Sequence, residues 1–170
     1  MPHSSALRAI GQSLETFRVE AFALDKKNDS HVVRSESLTP TRQWILRNSL
    51  VETVWDSPAR DQKATQLTGG DGWLCYDPVS LSRLEAQGRK KRRSHSFAQM
   101  HEAKLSDLLR TVGEHLDIMQ ANTFSIVWAP DSVSVEYQTA HGQRERKDFS
   151  VEKLRELSLH LRFRRANRDA

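Results

Sequence analysis

Nine basic side chains in two short runs are the residues whose type and spacing could do chemistry. Arg89-Lys90-Lys91-Arg92-Arg93 is unbroken, and Arg162, Arg164, Arg165 and Arg168 crowd the last stretch of the chain around Phe163. Cations at this density can neutralise several phosphates, which gives salt-sensitive binding with no sequence preference. Phe163 adds a ring able to stack on a base. The same residues also suit a helix C-terminus, where cations meet the negative end of the macrodipole, and Gly88 marks such an end.

The chain has 26 Lys and Arg against 22 Asp and Glu, a formal charge of +4. Setting aside the nine basic residues and Asp169 leaves 17 basic against 21 acidic residues. The basic character therefore belongs to two segments rather than to the chain at large. The expected function is a non-enzymatic binding module that contacts an anionic partner, nucleic acid foremost, through those segments. The competing expectation is a protein-interaction or scaffold domain, such as a homodimer, using a sheet face or edge and the region of Trp44, Trp55 and Trp73.

Other chemistry has less to stand on. Gly69-Gly70-Asp71-Gly72 could cradle a phosphate, but Trp73-Leu74-Cys75 follows where a phosphate-binding loop needs lysine and a hydroxyl residue. Cys75, flanked by Trp73, Leu74 and Tyr76, reads as part of a buried strand rather than an activated nucleophile. Seven histidines are present, none at metallopeptidase spacing, and His95 and His101 do not share a helix face. His115 is expected at a helix surface or cap. Carboxylates are plentiful, yet no spacing singles out an acid and base pair. Hence no catalytic residue, metal or cofactor is expected, and an enzyme ranks third.

The elements that must position the basic runs begin with a repeat. Residues 7 to 35 and 109 to 137 align without a gap, 102 positions apart, with eight identities in 29. The identical pairs are Leu7/Leu109, Arg8/Arg110, Gly11/Gly113, Leu14/Leu116, Phe22/Phe124, Asp29/Asp131, Ser30/Ser132 and Val33/Val135. Average residue frequencies give about two identities at one chosen offset. Each copy opens with an amphipathic helix, 7 to 17 and 105 to 120, carrying Leu7, Ile10, Leu14 and Phe17 or Leu105, Leu108, Leu109, Val112, Leu116 and Met119.

Each copy then shifts to the period of strands. Thr123 to Trp128 and Val133 to Tyr137 flank a turn at Ala129-Pro130-Asp131-Ser132, matched in the first copy by Asn28-Asp29-Ser30. A glycine inside a helix costs about 1 kcal/mol relative to alanine. Its presence at both 11 and 113 therefore predicts that the helices cross each other or the sheet there.

After a turn at His141-Gly142-Gln143, a third strand is expected near Arg144 to Phe149, then a helix capped by Ser150 with Val151, Leu154, Leu157 and Leu161 inward. Leu157, Leu159, Leu161 and Phe163 also alternate, so residues 157 to 163 could be a strand instead. In the first half, Gln43 to Arg47 is the expected third strand, and Asp77-Pro78 starts a helix running toward Gly88. The fold class is thus α+β: two helix-plus-antiparallel-hairpin units, α-β-β-β-α in the second, forming a sheet with helices packed on it. Their order resembles that of the double-stranded-RNA-binding domain. That family sets lysines at the start of its last helix, where this chain has Ser150-Val151-Glu152-Lys153-Leu154.

The two halves, 1–98 and 99–170, are expected to form one unit, since 170 residues leave no room for two unrelated full-sized domains. No apolar run is long enough to cross a bilayer, and one cysteine permits no internal disulfide. A cytoplasmic location is expected.

Overall fold

The apolar stripes become helices because one face of each can be buried, and the alternating segments become strands of one sheet beneath them. A computed structural model describes residues 1–16, 18–35, 72–92, 103–166. The order is α1 (His3–Thr16), β1 (Phe22–Lys27), β2 (Ser30–Ser35), β3 (Gly72–Tyr76), α2 (Pro78–Arg92), α3 (Leu105–Ile118), β4 (Ala121–Trp128), β5 (Ser132–Thr139), β6 (Arg144–Ser150) and α4 (Val151–Ala166). The six described strands form one antiparallel sheet, β3-β2-β1-β4-β5-β6, so among the described residues the order α-β-β-β-α occurs twice along a single sheet.

The two halves meet at its centre. β1 pairs with β4 from Phe22↔Trp128 through Leu24↔Ile126 to Lys26↔Phe124. Phe22 and Trp128 stack with ring centroids 5.8 Å apart and planes nearly parallel. Leu24, Val33, Leu74, Ile126 and Val135 line one sheet face and are buried under the helices with Leu7, Ile10, Leu14, Leu109, Val112 and Leu116. α1 and α3 pack against each other, α2 against α1, and α4 against α3.

α1 and α3 run antiparallel and cross at the two glycines. A Cβ on Gly11 would lie 2.6 Å from the Cα of Ser106, and one on Gly113 would lie 2.5 Å from the Cα of Ser4. No side chain of any kind fits there. The close approach also lets each helix satisfy the other's free N–H groups. Asp117 accepts from the amides of His3 (2.7 Å) and Ser4 (3.0 Å), and Glu15 accepts from the amide of Ser106 (2.6 Å). Lys104 gives α3 no side-chain cap of its own, so the carboxylate from α1 takes that role.

Several expectations need adjusting. The strand beside β2 is Gly72–Tyr76, not Gln43 to Arg47, which lie outside the described residues. Gly72 opens that strand, while residues 69 to 71 lie outside. In β3 the pleat buries Leu74 and Tyr76 and leaves Cys75 exposed, so the expected burial of Cys75 fails by one step of the alternation. Residues 157 to 163 are helical within α4, because Ser150 caps it (Lys153 amide to Ser150 Oγ, 3.1 Å) and Val151 and Leu154 are buried at helical spacing. Asp77 caps α2 in the same way, accepting from the Ser80 amide at 2.7 Å.

Gly11→Ala and Gly113→Ala are each expected to lower the unfolding free energy by about 2 kcal/mol in urea titrations, although alanine is the better helix former. Unchanged stability would show that the backbones can separate freely.

Candidate functional site

The basic runs fall at the ends of two helices. Arg89, Lys90, Lys91 and Arg92 close α2, and Arg162, Arg164 and Arg165 lie in the last turns of α4; Arg93 and Arg168 lie outside the described residues. α2 follows β3 and α4 follows β6. Among the described residues these are the two outermost strands, about 24 Å apart by ordinary strand spacing, so the two runs belong to helices that follow opposite edges of the sheet.

The sheet face away from the helices is the second surface with binding character. Cross-strand rows on it read Cys75, Val32, Asp25, Ser125, Glu136, Arg146 and, one level along, Arg34, Ala23, Val127, Ser134, Asp148. The two central strands present Asp25, Ala23, Ser125 and Val127, and Glu136, Arg146 and Asp148 gather on the β5–β6 side. Arg34 pairs with Asp25 at 2.6 Å, while Arg146 lies 3.6 Å from Glu136 and 3.3 Å from Asp148. Hydrogen bonds from Ser134 and Arg146 hold the Asp148 carboxyl below its usual range. Asp25, Thr123, Ser125, Glu136, Gln138 and Arg146 border a shallow hollow of ≈ 450 Å³. Lys26, Arg144 and Glu145 also line it, so the hollow carries charges of both signs.

Under the helices lie polar groups that no periodicity announces. His31 on β2 is 4% exposed, and neither ring nitrogen has a hydrogen-bond partner. It faces Phe124, whose ring also meets His3 edge-on, and the Nε2 of His3 bonds the Ala121 carbonyl at 2.7 Å. Burial, then the nearby charges of Lys26 and His3, push the His31 pKa down to about 4. Burial also lowers Lys26, whose ammonium donates to the Asn122 carbonyl at 2.8 Å.

Toward the other edge, His115 packs edge-on against Tyr137 and Phe149, half-buried rather than at a helix surface or cap. Burial and Lys147 lower its pKa against the opposing pull of Glu145. Tyr137 donates to Glu145 at 2.6 Å, and burial and that carboxylate push its pKa up to about 12. Tyr76, likewise raised to about 12 by burial, donates to Ser13 at 3.2 Å. These contacts tie helices to strands. Among the described residues, no three His, Cys, Asp or Glu side chains are grouped to hold a metal ion.

Of the tryptophans, Trp128 is a buried core residue, Trp73 is placed only as a backbone position in β3, and Trp44 and Trp55 lie outside the described residues. No described helix is long and apolar enough to cross a membrane. No protein-family model, curated protein or solved structure matches the chain.

His31 sets a pH dependence whose sign is fixed. Above pH 6.5 it is neutral both folded and unfolded and contributes nothing. As pH falls from 6.5 toward 4, the unfolded chain binds a proton that the folded chain refuses, so stability declines over that window by roughly 3 kcal/mol. His31→Leu is expected to flatten this part of the curve, compared with wild type by urea unfolding at pH 7 and pH 4.5; parallel curves would show that His31 titrates normally.

Proposed function

We propose that the chain is a non-enzymatic binding module, built from a duplicated α-β-β-β-α unit, that contacts an anionic partner, nucleic acid foremost, through the ends of α2 and α4. The observation that carries this reading is that the two basic runs occupy corresponding final turns. Asp77 and Ser150 cap their helices identically and stand 73 positions apart, as do Leu81 and Leu154, and so do Arg89 and Arg162, Lys91 and Arg164, and Arg92 and Arg165. A helix dipole is satisfied by one or two cations in the last turn. Five consecutive basic residues exceed that need. Two runs on helices that follow opposite outer strands suit an extended polyanion rather than a single small phosphate, and non-specific phosphate contact requires no groove-reading element.

Duplication is supported by equivalences 102 positions apart. Leu24 and Ile126 are both repeat-mates and direct partners across the β1–β4 seam. Leu24↔Val33 in one half corresponds to Ile126↔Val135 in the other. Glu15 and Asp117 act as reciprocal caps, and Arg18 and Gln120 both leave their helices with positive φ, 49° and 52°. From β3 and β6 onward the separation falls to 73, which assigns the extra 29 residues of the first half to the stretch between β2 and β3. The reading places the protein in the cytoplasm.

A second reading, a protein-interaction domain, draws on the open sheet face with Val127 exposed at its centre. Salt separates the two. Retention on nonspecific DNA and RNA is expected at low salt, falling steeply as salt rises, with a loss of about tenfold or more when residues 89 to 93 become alanine. Absence of binding at low salt, or binding indifferent to the alanine replacement, would overturn the polyanion reading.

A further inference from the structure

β6 is the outer strand on its side among the described residues, its residues 144 to 148 are all exposed, and no described strand pairs with its outward side. Which groups are free follows from the hairpin. Thr139 donates to the Gln143 carbonyl, and Val151 donates to the Asp131 carbonyl. With the unshifted register between β5 and β6, the odd-numbered residues bond inward to β5. Arg144, Arg146, Asp148 and Ser150 therefore point their N–H and C=O groups outward.

A charged edge strand ordinarily blocks indiscriminate pairing. Here the order of charges, Arg144-Glu145-Arg146-Lys147-Asp148, is complementary to itself read backwards. We infer that β6 pairs antiparallel with β6 of a second copy of this chain, on a two-fold axis at Arg146, joining two sheets into one.

In that register Arg144 lies opposite the partner's Asp148, and Glu145 opposite the partner's Lys147, each twice by symmetry. The single like-charged meeting is Arg146 with the partner's Arg146, and each of these guanidiniums is already held by Glu136 and Asp148 of its own chain. Moving the axis one residue along sets Lys147 against the partner's Lys147 and loses the Glu145 pairs, so charge selects the register.

α4 follows β6 directly and leaves Leu157 and Leu159 38% and 37% exposed; two residues apart on a helix, they flank its buried face on opposite sides. Edge pairing brings α4 toward α4 of the partner, where one of these leucines can be covered. The two helices then run in opposite directions, which keeps their basic C-terminal turns apart.

The test is sedimentation of the full chain across a concentration series. A dimer is expected, and a monomer at every attainable concentration overturns the proposal. Arg146→Pro removes an outward N–H without touching the β5–β6 ladder. Loss of the dimer with an unchanged circular dichroism spectrum is the expected result, and a persisting dimer overturns it. Arg144→Asp is expected to weaken association about tenfold, since two attractive pairs become repulsive. The swap Arg144→Asp with Asp148→Arg restores those pairs, so it should recover the dimer; failure to recover it rejects the register. This swap decides the matter even if the proline variant does not fold.

Discussion

The fold depends on how closely two helix backbones can approach. Where α1 and α3 cross, no Cβ is admissible at Gly11 or Gly113, and the two main chains touch at Ser106 and Ser4. That approach is what allows Glu15 to reach the first turn of α3 and Asp117 the first turn of α1. Each contact requires the other: without the glycines the caps fall short, and without the caps buried N–H groups at the helix starts would go unpaired. The helix propensity sacrificed at two interior glycines is small beside what the crossing secures.

The crossing also dictates the sheet. Antiparallel helices in contact place the strands that follow them side by side and antiparallel, which is the β1–β4 seam with Leu24 facing Ile126. Once that seam exists, hairpins can extend only outward, β2 and β3 on one side, β5 and β6 on the other. The last helix of each half follows the outer strand on its own side and packs against the first helix of that half, α2 on α1 and α4 on α3.

Legibility in the sequence followed the strength of the physical constraint. The glycine pair, the hairpin turn around Asp131 and the caps at Asp77 and Ser150 were readable because each enforces a residue type locally. The described strand beside β2 comes only at Gly72, far beyond the short loop that analogy with the second half implies, and Gln43 to Arg47 lie outside the described residues. Cys75 was misjudged because a five-residue strand flanked by aromatics does not reveal which pleat faces inward; that depends on register with Val32, a long-range fact. The partnerless ring of His31 left no signal, since an isolated histidine in a strand has the same appearance buried or exposed. The basic runs are visible as composition, but their shared 73-residue spacing with the caps Asp77 and Ser150 is not, because it differs from the 102-residue offset of the first helices and hairpins.

That correspondence changes where function is to be sought. A run of cations at the end of one helix is explained by the macrodipole and by solvation. The second helix, capped by serine instead of aspartate, again ends in arginines 73 positions on, and local helix physics accounts for their sign but not for their number. Selection for a helix end alone would leave the remaining positions free to vary in charge, and the rest of the chain is in fact net acidic. On the proposed reading, the excess answers to something outside the chain that is negative enough to reward each added cation, which is the property of a polyanion.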